Sequence, residues 1–174
     1  MKLKALVATL IAASSLLGMS AAQASDGTVT FTGSIVATTC LIAAGGAVAV
    51  TLPPVDASAL SSSGKTATPT PFNIVMSGCT NGQQVHAQFE MGPTVNAATG
   101  NLKNAGLATF VEISLLNPAL QAINIATLNN DGAGTGLTTT AGANTLTYYA
   151  QYIATGTATA GTVSSSVTYS LVYN

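Results

Sequence analysis

Residues 162–174 read Thr-Val-Ser-Ser-Ser-Val-Thr-Tyr-Ser-Leu-Val-Tyr-Asn. Val163, Val167, Tyr169, Leu171 and Tyr173 fall on one face of this stretch, together with Ser165. The other face carries Thr162, Ser164, Ser166, Thr168 and Ser170, with Val172 as its one apolar residue. Successive side chains of a β-strand point to opposite faces, so this alternation predicts a strand with one buried and one solvated side.

The same period recurs upstream. Val29, Phe31, Gly33 and Ile35 alternate with Thr28, Thr30, Thr32 and Ser34. Phe72, Ile74 and Met76 alternate with Asn73, Val75 and Ser77. Val85, Ala87, Phe89 and Met91 alternate with Gln84, His86, Gln88 and Glu90. Further strands are expected over Val48–Leu52, Thr109–Leu116, Leu120–Ala126 and Thr145–Ala154. Turn chemistry separates them: Gly45-Gly46, Pro53-Pro54, Ser61–Gly64, Asn81-Gly82, Gly92-Pro93 and Asn129–Gly136. No apolar pattern with helical period persists beyond two turns in this part of the chain. Many short strands at this spacing predict one all-β, immunoglobulin-like sandwich.

The first residues follow another logic. Lys2 and Lys4 precede an apolar run from Ala5 to Met19, and Ala22-Gln23-Ala24 is a small-x-small cleavage pattern. That order predicts a secretory signal peptide over residues 1–24, with the mature chain starting at Ser25. The run is too short and too rich in Ala and Ser for a spanning helix. An exported protein is expected.

Charged residues make up 5% of the chain, far below the roughly 25% of ordinary globular proteins. The expected mature part keeps Lys65 and Lys103 against five carboxylates, so no basic patch can form, which argues against nucleic acid as a partner. So little charge gives weak protection against self-association, which suits a subunit that packs into a polymer. The two cysteines, Cys40 and Cys79, are expected to pair as a disulfide in an oxidising compartment. Closing that loop should stabilise the fold by roughly 3–4 kcal/mol.

Candidate chemistry is sparse. His86 is the only histidine, and it falls on the polar face of its strand without triad or zinc partners. Glu90 and Glu112 could pair as acid and base, but solvent-facing carboxylates are the simpler expectation. Gly132, Gly134 and Gly136 lack the Lys and the helix start of a phosphate loop. Tyr148 and Tyr152 share a strand face and Tyr149 takes the other, which favours core packing over a sugar-stacking patch. No enzyme, metal or cofactor is expected.

Both ends of the expected mature chain are therefore patterned strands. Alternation alone leaves open whether the first pairs with its own domain or with another. Three stretches carry a resemblance: Gly27 to Cys40 (GTVTFTGSIVATTC), Pro71 to Cys79 (PFNIVMSGC), and Tyr149 to Gly156 (YAQYIATG) followed by the C-terminal strand. Gly161 stands fourteenth from the end, alternating apolar residues follow, and Tyr173 is penultimate. Together these resemble the subunits of chaperone–usher fimbriae, most closely the major pilins of type 1 and P fimbriae.

The resemblance implies an incomplete immunoglobulin-like β-sandwich, the pilin fold, lacking its final strand. It implies a donor-strand extension with the start of the first strand over 25–39, and a pilin domain over 40–174. Val29, Phe31, Gly33 and Ile35 would be the donor strand, with Gly33 meeting a shallow part of the neighbour's groove. Gly161, Val163, Val167, Tyr169, Leu171, Tyr173 and Asn174 would line the groove or meet a periplasmic chaperone. The implied partners are that chaperone, an outer-membrane usher and further copies or related pilin subunits in a homopolymer. The implied destination is the extracellular fimbrium of a Gram-negative cell, reached through the periplasm, where the fibre supports cell adhesion and biofilm formation. The short extension also fits a minor or adaptor subunit. A tip adhesin would need a receptor-binding domain in front of the pilin domain. A self-contained secreted carbohydrate-binding sandwich remains the alternative from another class.

Overall fold

The computed structural model describes residues 29–33, 40–127 and 136–173. Residues 40–173 belong to one compact unit, and residues 29–33 belong to another. The described residues form eight strands: β1 (Leu41–Ile42), β2 (Thr66–Ser77), β3 (Gln84–Phe89), β4 (Leu102–Lys103), β5 (Val111–Leu116), β6 (Leu137–Thr138), β7 (Asn144–Ala154) and β8 (Tyr169–Tyr173). They make a five-stranded sheet, β1-β2-β7-β5-β4, and a three-stranded sheet, β6-β3-β8. Every pairing is antiparallel.

The alternation seen in the sequence places the core. Ile74 and Met76 of β2, Ile113 and Leu115 of β5, and Leu146, Tyr148 and Ala150 of β7 are buried from one sheet. Val85, Ala87 and Phe89 of β3 are buried against them from the other. Face-to-face packing of two antiparallel sheets is a β-sandwich. Tyr148 ties the layers: its ring is fully buried, and its hydroxyl accepts from the Ala87 N–H at 2.9 Å. The Phe89 ring stands edge-on to Tyr148 with centroids 5.2 Å apart, a favoured aromatic geometry.

Cys40 and Cys79 are bonded, 39 residues apart, which anchors the start of β1 to the end of β2. β2 carries Pro69 and Pro71 without breaking. Its register with β7 shifts between Ala67 and Thr70, and Thr68 takes a φ of 51° there. On its other side β1 pairs only with Met76 and Ser77, so no ladder partner needs the proline nitrogens there.

Several expectations are corrected. Val48–Leu52 forms no ladder, and Leu120–Ala126 contributes only an isolated bridge from Ala122 to Leu116. β3 ends at Phe89, so Met91 is exposed instead of joining the buried face. His86, expected at the surface, is 8% exposed. Glu112, expected in solvent, is 7% exposed. Its carboxylate accepts from Asn96 Nδ2 at 2.6 Å, Thr99 Oγ1 at 2.8 Å and Asn101 Nδ2 at 3.2 Å, so neutral donors replace the water it loses. Tyr148 and Tyr152 are buried and Tyr149 is half-buried, as their alternation predicts. Most of the Asn129–Gly136 turn, with Gly132 and Gly134, lies outside the described residues.

Candidate functional site: a groove beside the C-terminal strand

β8 is an edge strand. Residues 162–168 continue its line without ladder assignment, yet they are held on one side. Thr162 O accepts from Ala108 N at 3.0 Å, Ser164 O from Ala105 N at 2.8 Å, and Thr168 O from Glu90 N at 2.8 Å. Ser166 O accepts from Thr94 Oγ1 at 2.7 Å. Asn104 Oδ1 takes the Ser164 N–H at 2.9 Å. On the C-terminal segment all these groups belong to even-numbered residues, Thr162, Ser164, Ser166 and Thr168. In extended backbone the odd-numbered ones point the other way. Those of Val163, Ser165 and Val167 have no hydrogen bond among the described residues.

A second extended segment faces this free edge. Residues 48–52 lack any ladder partner, and Val48, Val50 and Leu52 turn toward the opening. Between the two walls runs a groove in two lobes. One holds about 360 Å³, with Leu52, Val55, Leu60, Ala108, Val111 and Val163 among its lining residues. The other holds about 370 Å³, with Val48, Val50, Ser165, Val167 and Tyr169 as walls and Phe72, Ile74 and Phe89 on its floor. Leu52 lines both lobes, and Val163 lines the first; both pack against the two clusters of the core, which places them at the waist where the lobes meet.

The expected site residues divide accordingly. Gly161 and Val163 line the first lobe, and Val167 and Tyr169 the second. Leu171 and Tyr173 lie further along β8, opposite Ala87 and Val85, and pack on the main core. The Tyr173 hydroxyl is buried without a partner, and burial pushes its pKa up. Gly161 is explained by close approach: a Cβ there would stand 2.5 Å from the backbone nitrogen of Ala108. Asn174 and Ile35 lie outside the described residues. Val29 and Phe31 are 76% and 90% exposed, and Gly33 has nothing within 4 Å of its would-be Cβ.

The opposite wall, Val48, Val50 and Leu52, reads in the sequence as an ordinary strand. Its alternation is visible in the sequence, but nothing there tells a paired strand from an unpaired one. Phe72 and Phe89 read as core and are core; their place beneath the groove depends on the open edge above them.

Known proteins match most of this chain. Residues 29–174 match the family model described as fimbrial protein. The chain belongs to the fimbrial protein family. It is 40% identical over 183 residues to the F17 fimbrial protein of Escherichia coli, covering 99% of this chain and 98% of that one. It is 41% identical over 166 residues to the major fimbrial subunit SMF-1 of Stenotrophomonas maltophilia (strain K279a), covering 88% of this chain and 96% of the relative. Among solved structures, the P pilus rod subunit PapA superimposes with a TM-score of 0.60 at 20% identity, over 78% of this chain and 99% of that one, which supports the fold. The fimbrial subunit is thus a structural protein of an extracellular fibre. Among its described residues, no helix is long and apolar enough to cross a membrane. No cluster of three metal-ligating side chains occurs among them either.

Proposed function

We propose that this fimbrial subunit polymerises by donor-strand exchange, its groove receiving the N-terminal segment of the next copy. The supporting observation is the shape of the groove: two lobes separated by the Leu52–Val163 waist. The segment from Val29 to Ile35 has a matching rhythm, with large apolar residues at Phe31 and Ile35 and none at Gly33. Side chains on one strand face repeat every ~7 Å, so a glycine at the waist sets one knob in each lobe. The unpaired edge of residues 163–173 offers the backbone groups that strand addition uses. Burying Val29, Phe31 and Ile35 would stabilise the joint by roughly 5–8 kcal/mol as an upper bound.

Before assembly a periplasmic chaperone fills the same groove and holds the end of β8, and an outer-membrane usher exchanges it for the incoming strand. The finished fibre stands outside the cell and supports adhesion. Residues 1–24 serve as the export signal in this scheme.

Gly33→Leu tests the scheme. A leucine at the waist blocks entry into the next subunit but leaves the folded domain untouched. Periplasmic subunit should accumulate with its chaperone, while electron microscopy shows cells without fibres. Normal fibres from the variant would refute the assignment.

A further inference from the structure

We infer that the second lobe selects an aromatic side chain, Phe31 of a second copy, and that Ser165 is the residue that makes room for it. The inference rests on the donor-strand reading above.

The inward row of the C-terminal segment is Val163, Ser165, Val167, Tyr169, Leu171 and Tyr173. Every member but one is large and apolar or aromatic. The Ser165 hydroxyl is buried and finds no partner among the described residues. An unmet buried hydroxyl is destabilising, and valine at this place would remove that cost and add packing. Stability of the isolated domain therefore disfavours serine. What serine supplies is space, at the wall of a lobe of about 370 Å³.

The floor of that lobe carries two rings, Phe72 and Phe89, set among Ile74, Ile113 and Leu115. Phe72 and Phe89 lie with ring centroids 6.3 Å apart and planes at 67°, and Tyr148 packs against both. A third ring entering beside Ser165 meets ring faces and edges, an attraction beyond simple burial. The first lobe has a single ring, Tyr152, and is otherwise lined by aliphatic residues such as Val55, Leu60 and Val111. With Gly33 at the waist, Phe31 suits the second lobe and Ile35 the first. The entering strand then runs antiparallel to β8. Phe31 is also the most exposed large apolar side chain among the described residues, at 90%.

The test uses the purified full-length fimbrial subunit and synthetic peptides of residues 27–36 (GTVTFTGSIV), with binding read by calorimetry and by the rise in melting temperature. The wild-type peptide should bind, and Phe31→Ile and Phe31→Ala peptides should bind at least tenfold more weakly. Ser165→Leu and the milder Ser165→Val should each weaken the wild-type peptide at least tenfold, yet accept the Phe31→Ala peptide at least as well as the unaltered subunit does. Ser165→Ala keeps the space and should bind the wild-type peptide undiminished. Equal binding of the Phe31→Ile peptide, or no loss in both enlarged Ser165 variants, would overturn the selection while leaving donor-strand exchange standing. Failure of every peptide, wild type included, would overturn donor-strand exchange itself and this inference with it.

Discussion

The hydroxyl of Tyr169 donates to the carbonyl of Gly46 at 3.0 Å, across 123 residues of sequence. It joins the first residue of β8 to the start of the opposite groove wall, which no strand ladder holds. Tyr169→Phe removes this bond and should cost about 1 kcal/mol in unfolding free energy. Backbone amides of residues 47–52 should then exchange faster with solvent. Gly46→Ala attacks the same contact from the other side: φ there is +87°, and the new Cβ would stand 3.4 Å from the tyrosine oxygen. It should destabilise by about 1–2 kcal/mol. Unaltered exchange in both variants would mean that other contacts hold the wall.

Glu112 organises the turn that precedes β4. Its carboxylate receives Asn96, Thr99 and Asn101, and the turn closes further through Gly100 N on Asn96 O at 2.7 Å. Hydrogen bonds to a charged acceptor contribute about 1.5–3 kcal/mol each, and removing the acceptor strands three donors. Glu112→Ala should therefore destabilise by about 3–4 kcal/mol, and Glu112→Gln by about half of that. Denaturant midpoints at neutral pH read both. A loss under 1 kcal/mol for Glu112→Ala would show that water replaces the carboxylate freely.

Period-two alternation made the sandwich legible in the sequence. It located the inward faces of β2, β3, β7 and β8 and of Val163 and Val167, because pleat geometry alone decides which side chains share a face. It also separated Tyr149 from Tyr148 and Tyr152. Covering of a polar face was invisible to it: His86 and Glu112 sit at polar or mixed positions, and only the packed structure shows them buried. Pairing was invisible as well. Val48–Leu52 and Val111–Leu116 alternate or run apolar alike, yet only the second has neighbours on both sides. A groove is an absence of pairing, so the facing walls emerged from topology. The glycine at 161 was legible as a position in a family pattern, and its cause, the Ala108 backbone, required coordinates.

The disulfide closes a separation of 39 residues between the start of β1 and the end of β2. Chain-entropy arguments give about 4 kcal/mol for a loop of that length. Both sulfur positions are buried, so Cys40→Ala with Cys79→Ala adds a packing loss to the entropic one. The double variant should lose at least 4 kcal/mol by denaturant titration and accumulate poorly after export. A change of midpoint corresponding to less than 2 kcal/mol would indicate that the reduced chain is already constrained near this pairing.

Acid stability should depend on a clasp at the outer face of β3 and β8. Glu90 accepts from the hydroxyl of Ser170 and from Thr168 Oγ1 at 2.9 Å. These two bonds, Ser170 foremost, hold its pKa below the ordinary 4.5. The folded state therefore releases this proton more readily than the unfolded one. Between the ordinary value and the lowered one the unfolded chain binds more protons, so stability falls as pH falls through that window and is fully present above it. Asp56, lowered by the Ser58 backbone N–H, acts in the same direction, so the wild-type curve alone does not isolate Glu90. The difference between wild type and Glu90→Gln does. Denaturant midpoints taken from pH 7 to pH 2.5 should show a constant gap down to about pH 5, then a shrinking one. A gap that stays constant to pH 2.5 would show that Ser170 and Thr168 bind the neutral acid as well as the carboxylate.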